Sequence, residues 1–298
     1  MMTFSLLTHG VATGQVSVQG SAEVVIIEDN AVYQNKLTGL RIRGTIPVTI
    51  SRSAIYENGR AGIYADKDSQ VTVTDCDVYD NGRAGVNINR ARFTKVENSK
   101  LHGNKLAGVR VLAEGQGDTE PAEVTIIQSR IYSNEQAGIR ALPEADGRVV
   151  LSVVGTDVYE NQNAGIRVEN HTSLTAKDNR IHDNGTAGIV AFESETPPKL
   201  DIYQNRVFSN HQAGIHVVNG ITGSIGIRNN WIYDNLRSGI VCGLWSKPDV
   251  ENLNLEVINN TVVSNGSSDQ GAGIRNDSDG RVLIMNNIVA YNLSLIHI

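Results

Sequence analysis

The sequence predicts an all-β solenoid with three short strands to each coil. Two observations predict it: one phrase recurs along the chain, and the apolar residues between its copies alternate with a period of two. The phrase reads AIYENGRAGI from Ala54 to Ile63. It returns as DVYDNGRAGV from Asp77, RIYSNEQAGI from Arg130, DVYENQNAGI from Asp157 and RIHDNGTAGI from Arg180. Its Asn anchors fall at Asn35, Asn58, Asn81, Asn104, Asn134, Asn161, Asn184, Asn210, Asn235, Asn265 and Asn292, with steps of 23, 23, 23, 30, 27, 23, 26, 25, 30 and 27 residues. Gly follows four residues after the first nine anchors, from Gly39 to Gly239, and is delayed to Gly273 in the tenth copy. Self-similarity at so short a period marks a repeat architecture.

Within a copy the apolar residues run Val71, Val73, then Cys76, Val78, then Ala84, Val86, Ile88. Alternation means strands, and each slip of phase means a corner. No copy carries helical spacing. Three strands and three bends per repeat give a right-handed parallel β-helix of about eleven coils, in which each position stacks on its counterpart about 4.8 Å away. The Asn is expected at a corner, bonding the backbone of the adjacent coil. The Gly is expected to permit the bend or to keep an outer surface flat. A second inward ladder is expected five residues before the Asn, through Asn30, Ser53, Cys76, Ser99, Ser129, Thr156, Asn179, Asn205, Asn230, Asn260 and Asn287. An outward aromatic row, with Tyr132 and Tyr159 among its members, can stack ring on ring or offer its faces to sugars.

The chain has 298 residues, is 40% hydrophobic and carries a formal net charge of -6, so it can build a large core and lacks the basic excess of a nucleic-acid binder. Its longest apolar runs, such as VVII at Val24–Ile27, are too short for membrane insertion. The opening MMTFSLLTHGVATG carries no signal-peptide pattern. Cys76 and Cys242 both fall on inward positions six coils apart, too far for a disulfide. The β-helix is expected over residues 1–292 and as a fragment of a longer chain. Leu293–Ile298 break the register, match the translation of a transposon adapter used in sequencing libraries, and are expected to lie outside the fold.

The short Asn/Gly repeats, NRIHDNGTAGI and NRVFSNHQAGI among them, resemble those of the right-handed parallel β-helix proteins of the pectin-lyase-like superfamily. The resemblance runs from about Val16 to Asn292. It implies an extracellular, cell-surface or periplasmic setting and a polysaccharide partner. Relatives include lyases, glycosidases, uronan epimerases, binding modules and accessory proteins, so the fold leaves the activity open.

The residue two after the Gly points outward, and in three successive coils it is Arg110, Arg140 and Arg167. Stacked like charges need neutralising, and Arg suits the carboxylates of an acidic polysaccharide. The plainer reading is neutralisation by nearby acids such as Glu169. Long insertions after the same strand would wall a groove over this row. Their acids Asp118, Glu144 and Asp146 are Ca²⁺ candidates, by resemblance to superfamily lyases and by their hard oxygen ligands; the plainer reading is a solvated acidic loop. Glu160 and Asp183, stacked one coil apart, are candidate catalytic carboxylates by their spacing, although acids at a solenoid corner are ordinarily just polar. The leading expectation is a surface or secreted β-helix that binds an acidic polysaccharide along the Arg face. The alternatives are a polysaccharide lyase, glycoside hydrolase or uronan epimerase, and a purely structural solenoid.

Overall fold

A computed structural model describes residues 2–3, 16–18, 24–113, 120–144, 147–192, 199–218, 223–243, 253–266, 271–278 and 281–297. The chain divides into two units, Met1–Leu151 and Ser152–Ile298. Each is a right-handed parallel β-helix with three parallel sheets.

In the first unit, the first sheet stacks Val25–Glu28, Pro47–Ser51, Gln70–Thr74, Phe93–Glu97 and Ala122–Ile127 in that order. The second stacks Ala31–Tyr33, Ala54–Tyr56, Asp77–Tyr79, Lys100–His102 and Arg130–Tyr132. The third stacks Val16–Val18, Leu40–Arg43, Ile63–Asp66, Val86–Asn89, Val109–Val111 and Ile139–Ala141. Register follows the repeat: Val71 pairs with Val48 and with Thr94, and Val78 pairs with Ile55 and with Leu101. Inward residues such as Val71, Val73, Val78, Val86 and Ile88 are fully buried. Alternation therefore decides what enters the core.

The corners explain the polar periodicity. The Asn81 amide nitrogen Nδ2 donates to Asn104 Oδ1 (3.0 Å), to Ile55 O (3.1 Å) and to Tyr79 O (3.0 Å), while the Asn81 backbone N–H donates to Asn104 Oδ1 (3.2 Å). One side chain thus satisfies backbone groups on two coils inside a fully buried corner. The other corner uses shorter side chains: the N–H of Asn30 donates to Ser53 Oγ and that of Cys76 to Ser99 Oγ, each at 3.1 Å. Each Asn is preceded by a residue in the left-handed region, such as Glu57 (φ 52°) or Asp80 (φ 51°). That region disfavours bulky or branched residues, so polar ones recur there.

The repeated Gly works differently from the expectation. Gly85 has no left-handed φ, and a Cβ placed on it would stand 2.9 Å from Gly108 O and 3.0 Å from Asn104 Nδ2. It allows close approach of the next coil to the Asn amide; it neither makes the bend nor flattens an outer surface.

In the second unit the first sheet runs through Thr172–Lys177, Lys199–Tyr203, Gly223–Arg228, Leu253–Ile258 and Arg281–Met285. The second runs through Asp157–Tyr159, Arg180–His182, Arg206–Phe208, Trp231–Tyr233, Thr261–Val263 and Ile288–Ala290. The third runs through Ile166–Val168, Ile189–Ala191, Ile215–Val217, Ile240–Cys242, Ala272–Asn276 and Ser294–His297. Ser294–His297, within the tail expected to lie outside the fold, pairs in parallel with Ala272–Asn276. The same Asn ladder runs through Asn161, Asn184, Asn210, Asn235 and Asn265. Among the described residues the second sheets hold five and six strands, one per coil, in line with the eleven anchors.

Cys76 and Cys242 are free and buried, in separate units. Burial pushes the Cys76 thiol up to about 11 and the Cys242 thiol up to about 12. Cys76 is a small ladder residue whose Sγ donates to Thr74 O at 3.2 Å. The described residues contain no helix long and apolar enough to cross a membrane.

Candidate functional site

The outer face of the third sheet in the first unit gathers the polar side chains. Strict register places Arg41, Tyr64, Asn87, Arg110 and Arg140 in one row. Arg43, Asp66 and Asn89 form the next row. Two more arginines, Arg60 and Arg83, stack on the turn that leads into this sheet, where Arg83 N donates to Arg60 O (3.1 Å).

Asp66 is buried and neutralises part of this charge. It receives Arg43 Nε at 3.1 Å and Arg41 Nη2 at 3.3 Å. The Arg41 guanidinium also lies over the Tyr64 ring, 5.2 Å from its centroid. The Tyr64 hydroxyl accepts a hydrogen bond from Asn89 Nδ2 (3.1 Å). Between these groups is an open hollow of about 160 Å³ lined by Thr38, Arg41, Arg60, Ala61, Tyr64, Arg83 and Asn87.

Arg60, Arg83 and Arg110 make no side-chain hydrogen bond or ion pair among the described residues. Burial pushes the Arg110 guanidinium below its usual value, and the Arg140 and Arg83 charges push the same way; Glu144 pulls it back. Like charges held this close favour an anion.

The sequence candidates differ in their surroundings. Arg110 and Arg140 are direct neighbours. Arg167 stands in the second unit, where its Nε meets Glu169 Oε1 at 2.6 Å and its guanidinium lies 4.3 Å from the centre of the Phe192 ring. Glu169 thus neutralises Arg167, as the plainer reading of the row expects. Tyr132 and Tyr159 sit on the second sheet of their own units, whereas Arg110, Arg140 and Arg167 sit on third sheets. Tyr132 stacks on His102 (4.6 Å) and Tyr159 on His182 (5.2 Å). Glu160 and Asp183 are exposed corner residues with φ of 52°. Asp183 accepts from His182 Nδ1 at 2.7 Å, and Asp157 takes the other ring nitrogen at 3.0 Å. Of the Ca²⁺ candidates, Asp118 and Asp146 lie outside the described residues, and Glu144 is exposed near Arg110. No group of three His, Cys, Asp or Glu side chains suited to a metal ion occurs among the described residues.

Sequence reasoning missed Tyr64, Asn87, Arg60 and Arg83. The first two stand two residues after Gly62 and Gly85, so extending the Arg110 row backwards finds them. Arg60 and Arg83 hold the same place, two residues after the Asn, in the consecutive copies AIYENGRAGI and DVYDNGRAGV, so reading that turn as a ladder finds them.

The right-handed beta helix region family matches residues 8–147 and 120–224. No curated protein matches the chain. Among solved structures, the chain is similar to the A-modules of two Azotobacter vinelandii mannuronan C-5 epimerases, each at 17% identity. For AlgE6 the TM-score is 0.54, covering 91% of this chain and 65% of that one. For AlgE4 the TM-score is 0.53, covering 92% and 62%. The chain therefore spans less than two thirds of either module. It is also similar to the Dettilon tailspike protein at 14% identity and TM-score 0.53, covering 87% and 56%. At these identities the likeness is one of fold. With the family matched over most of its length, the chain belongs to the right-handed β-helix family.

Proposed function

We propose that this protein is a secreted or surface β-helix that binds an acidic polysaccharide along the third-sheet face of its first unit. The observation that carries the reading is the set of Arg60, Arg83 and Arg110, which have no side-chain partner among the described residues. They sit on a chain whose net charge is -6. A cationic patch on an anionic protein concentrates attraction for a polyanion in one place. The parallel strands repeat the patch at about the 4.8 Å coil spacing, which suits a polymer better than a small ligand. Two structures with the same fold are mannuronan C-5 epimerase A-modules, a support drawn from fold alone.

The test is retention of the intact chain on immobilised polymannuronate and polygalacturonate, against a neutral glucan, at low and raised salt. Retention of a polyuronate that weakens with salt is expected. Arg110→Ala should lower affinity about tenfold, as for a lost bond to a charged group. Undiminished retention of Arg110→Ala, or no polyuronate retention by the wild type, sinks the reading. Release of shorter or unsaturated products would replace it with an enzymatic one.

A further inference from the structure

The third-sheet face buries a side chain that makes no hydrogen bond among the described residues. Asn87 is only 8% exposed, yet its carboxamide makes no hydrogen bond among the described residues, and Oδ1 is buried without a donor. Buried side-chain polar atoms are nearly always paired, and an unpaired one destabilises the fold. The position does not demand a polar residue. Two residues after Gly188 and Gly239, the same outward place holds Val190 and Val241.

The surroundings of Asn87 are complementary to one kind of ligand. Arg60 and Arg83 line the same hollow and present guanidinium groups with no ion pair among the described residues. Tyr64, the in-register neighbour, accepts from Asn89 and so keeps its own hydroxyl proton to donate. Its ring is held by Arg41, which Asp66 anchors in turn. The hollow therefore offers two cationic forks, one O–H donor and one carbonyl acceptor that needs a donor.

We infer that this hollow is a subsite for a single carboxylated sugar unit. Arg60 and Arg83 take the carboxylate, Tyr64 donates to a sugar oxygen, and Asn87 Oδ1 accepts from a sugar hydroxyl. The inference rests on the polysaccharide-binding reading and assigns the unit that is read and the residue that reads it. Arginine alone would hold any polyanion. Asn87 adds a demand for a hydroxyl beside the charge, because an acceptor left unpaired penalises ligands that lack the donor.

The experiment measures affinity for oligomannuronate and oligogalacturonate, and for their carboxyl-reduced neutral forms, together with the melting temperature of each variant. Asn87→Val, which copies the chain's own alternative, should melt at or above the wild-type temperature and bind the better uronate about tenfold more weakly. Asn87→Ala is the companion should valine crowd the site, with the same loss expected. The double variant Arg60→Gln/Arg83→Gln should lose the preference for the charged over the reduced oligomer, a preference that Asn87→Val keeps. Wild-type affinity in both Asn87 variants overturns the subsite while leaving polysaccharide binding standing. A lowered melting temperature in both variants gives Asn87 a structural role and also overturns it. If the wild type binds neither oligouronate, the subsite and the broader reading fall together.

Discussion

Replacing Asn104 by alanine tests the physical basis of the fold most directly. Asn104 is fully buried. Its Oδ1 accepts from the Asn81 backbone N–H (3.2 Å) and from Asn81 Nδ2 (3.0 Å). Its Nδ2 donates to Val78 O (3.2 Å) and to Asn134 Oδ1 (3.0 Å). Alanine removes all four bonds. The Asn81 N–H has no other acceptor among the described residues, so a buried donor is left unpaired, at about 2 kcal/mol. Each of the other three bonds contributes about 1 kcal/mol net, and bonds within one network overlap, which puts the loss near 4 kcal/mol. Urea unfolding followed by far-ultraviolet circular dichroism reads this as a lowered midpoint at unchanged slope. Asn104→Ser should cost about half as much, because serine already accepts the preceding coil's N–H at the other corner. A loss below about 1 kcal/mol for the alanine variant would refute the claim that the ladder satisfies the corners.

Two further outcomes follow from the geometry. Gly85→Ala places a methyl 2.9 Å from Gly108 O and 3.0 Å from Asn104 Nδ2, and should destabilise by about 1–3 kcal/mol; an unchanged melting curve would remove close approach as the reason for the glycine. His182 should titrate above its ordinary value: burial alone would push it down, but the Asp157 and Asp183 carboxylates together outweigh burial and raise it. The stability from this contact is complete below the ordinary imidazole value, about 6.5, and is lost as pH rises through the higher folded value. An NMR titration placing His182 at or below the ordinary value would contradict this.

The fold was legible because stacking imposes one environment on one position in every coil. Asn81, Asn104 and Asn134 have the same surroundings and so the same identity. Alternation then separates Val86 and Ile88, which face inward, from Asn87 and Asn89. The candidate site was legible only in part. Arg110 and Arg140 repeat one coil apart and stand out as a pair. Arg167 looks the same in sequence, but Glu169 and Phe192 engage its guanidinium, and no single-row pattern marks that pair of contacts. Arg60 and Arg83 lie in a turn whose outer residues the repeat leaves free. The Arg110 row, extended backwards, reaches Asn87, but an outward polar residue is ordinary in a strand, and its burial without a partner among the described residues is visible only in the structure. The role of Gly85 was misjudged for a related reason. Glycine in sequence suggests unusual backbone angles, whereas here its use is the space above it.

The aromatic row of the second sheet also has an optical consequence. In the first unit Tyr33, Tyr56, Tyr79, His102 and Tyr132 stand 4.6 to 5.1 Å apart with interplanar angles of at most 10°. Rings held so close and so parallel couple their electronic transitions, so this row should give the first unit a near-ultraviolet dichroic band that vanishes when the coils separate. Both tryptophans, Trp231 and Trp245, belong to the sequence of the second unit. Tryptophan emission therefore reports on the second unit, where Trp231 packs on Tyr233 at 4.7 Å, while the described tyrosine-on-tyrosine stacks, Tyr33 on Tyr56 and Tyr56 on Tyr79, belong to the first.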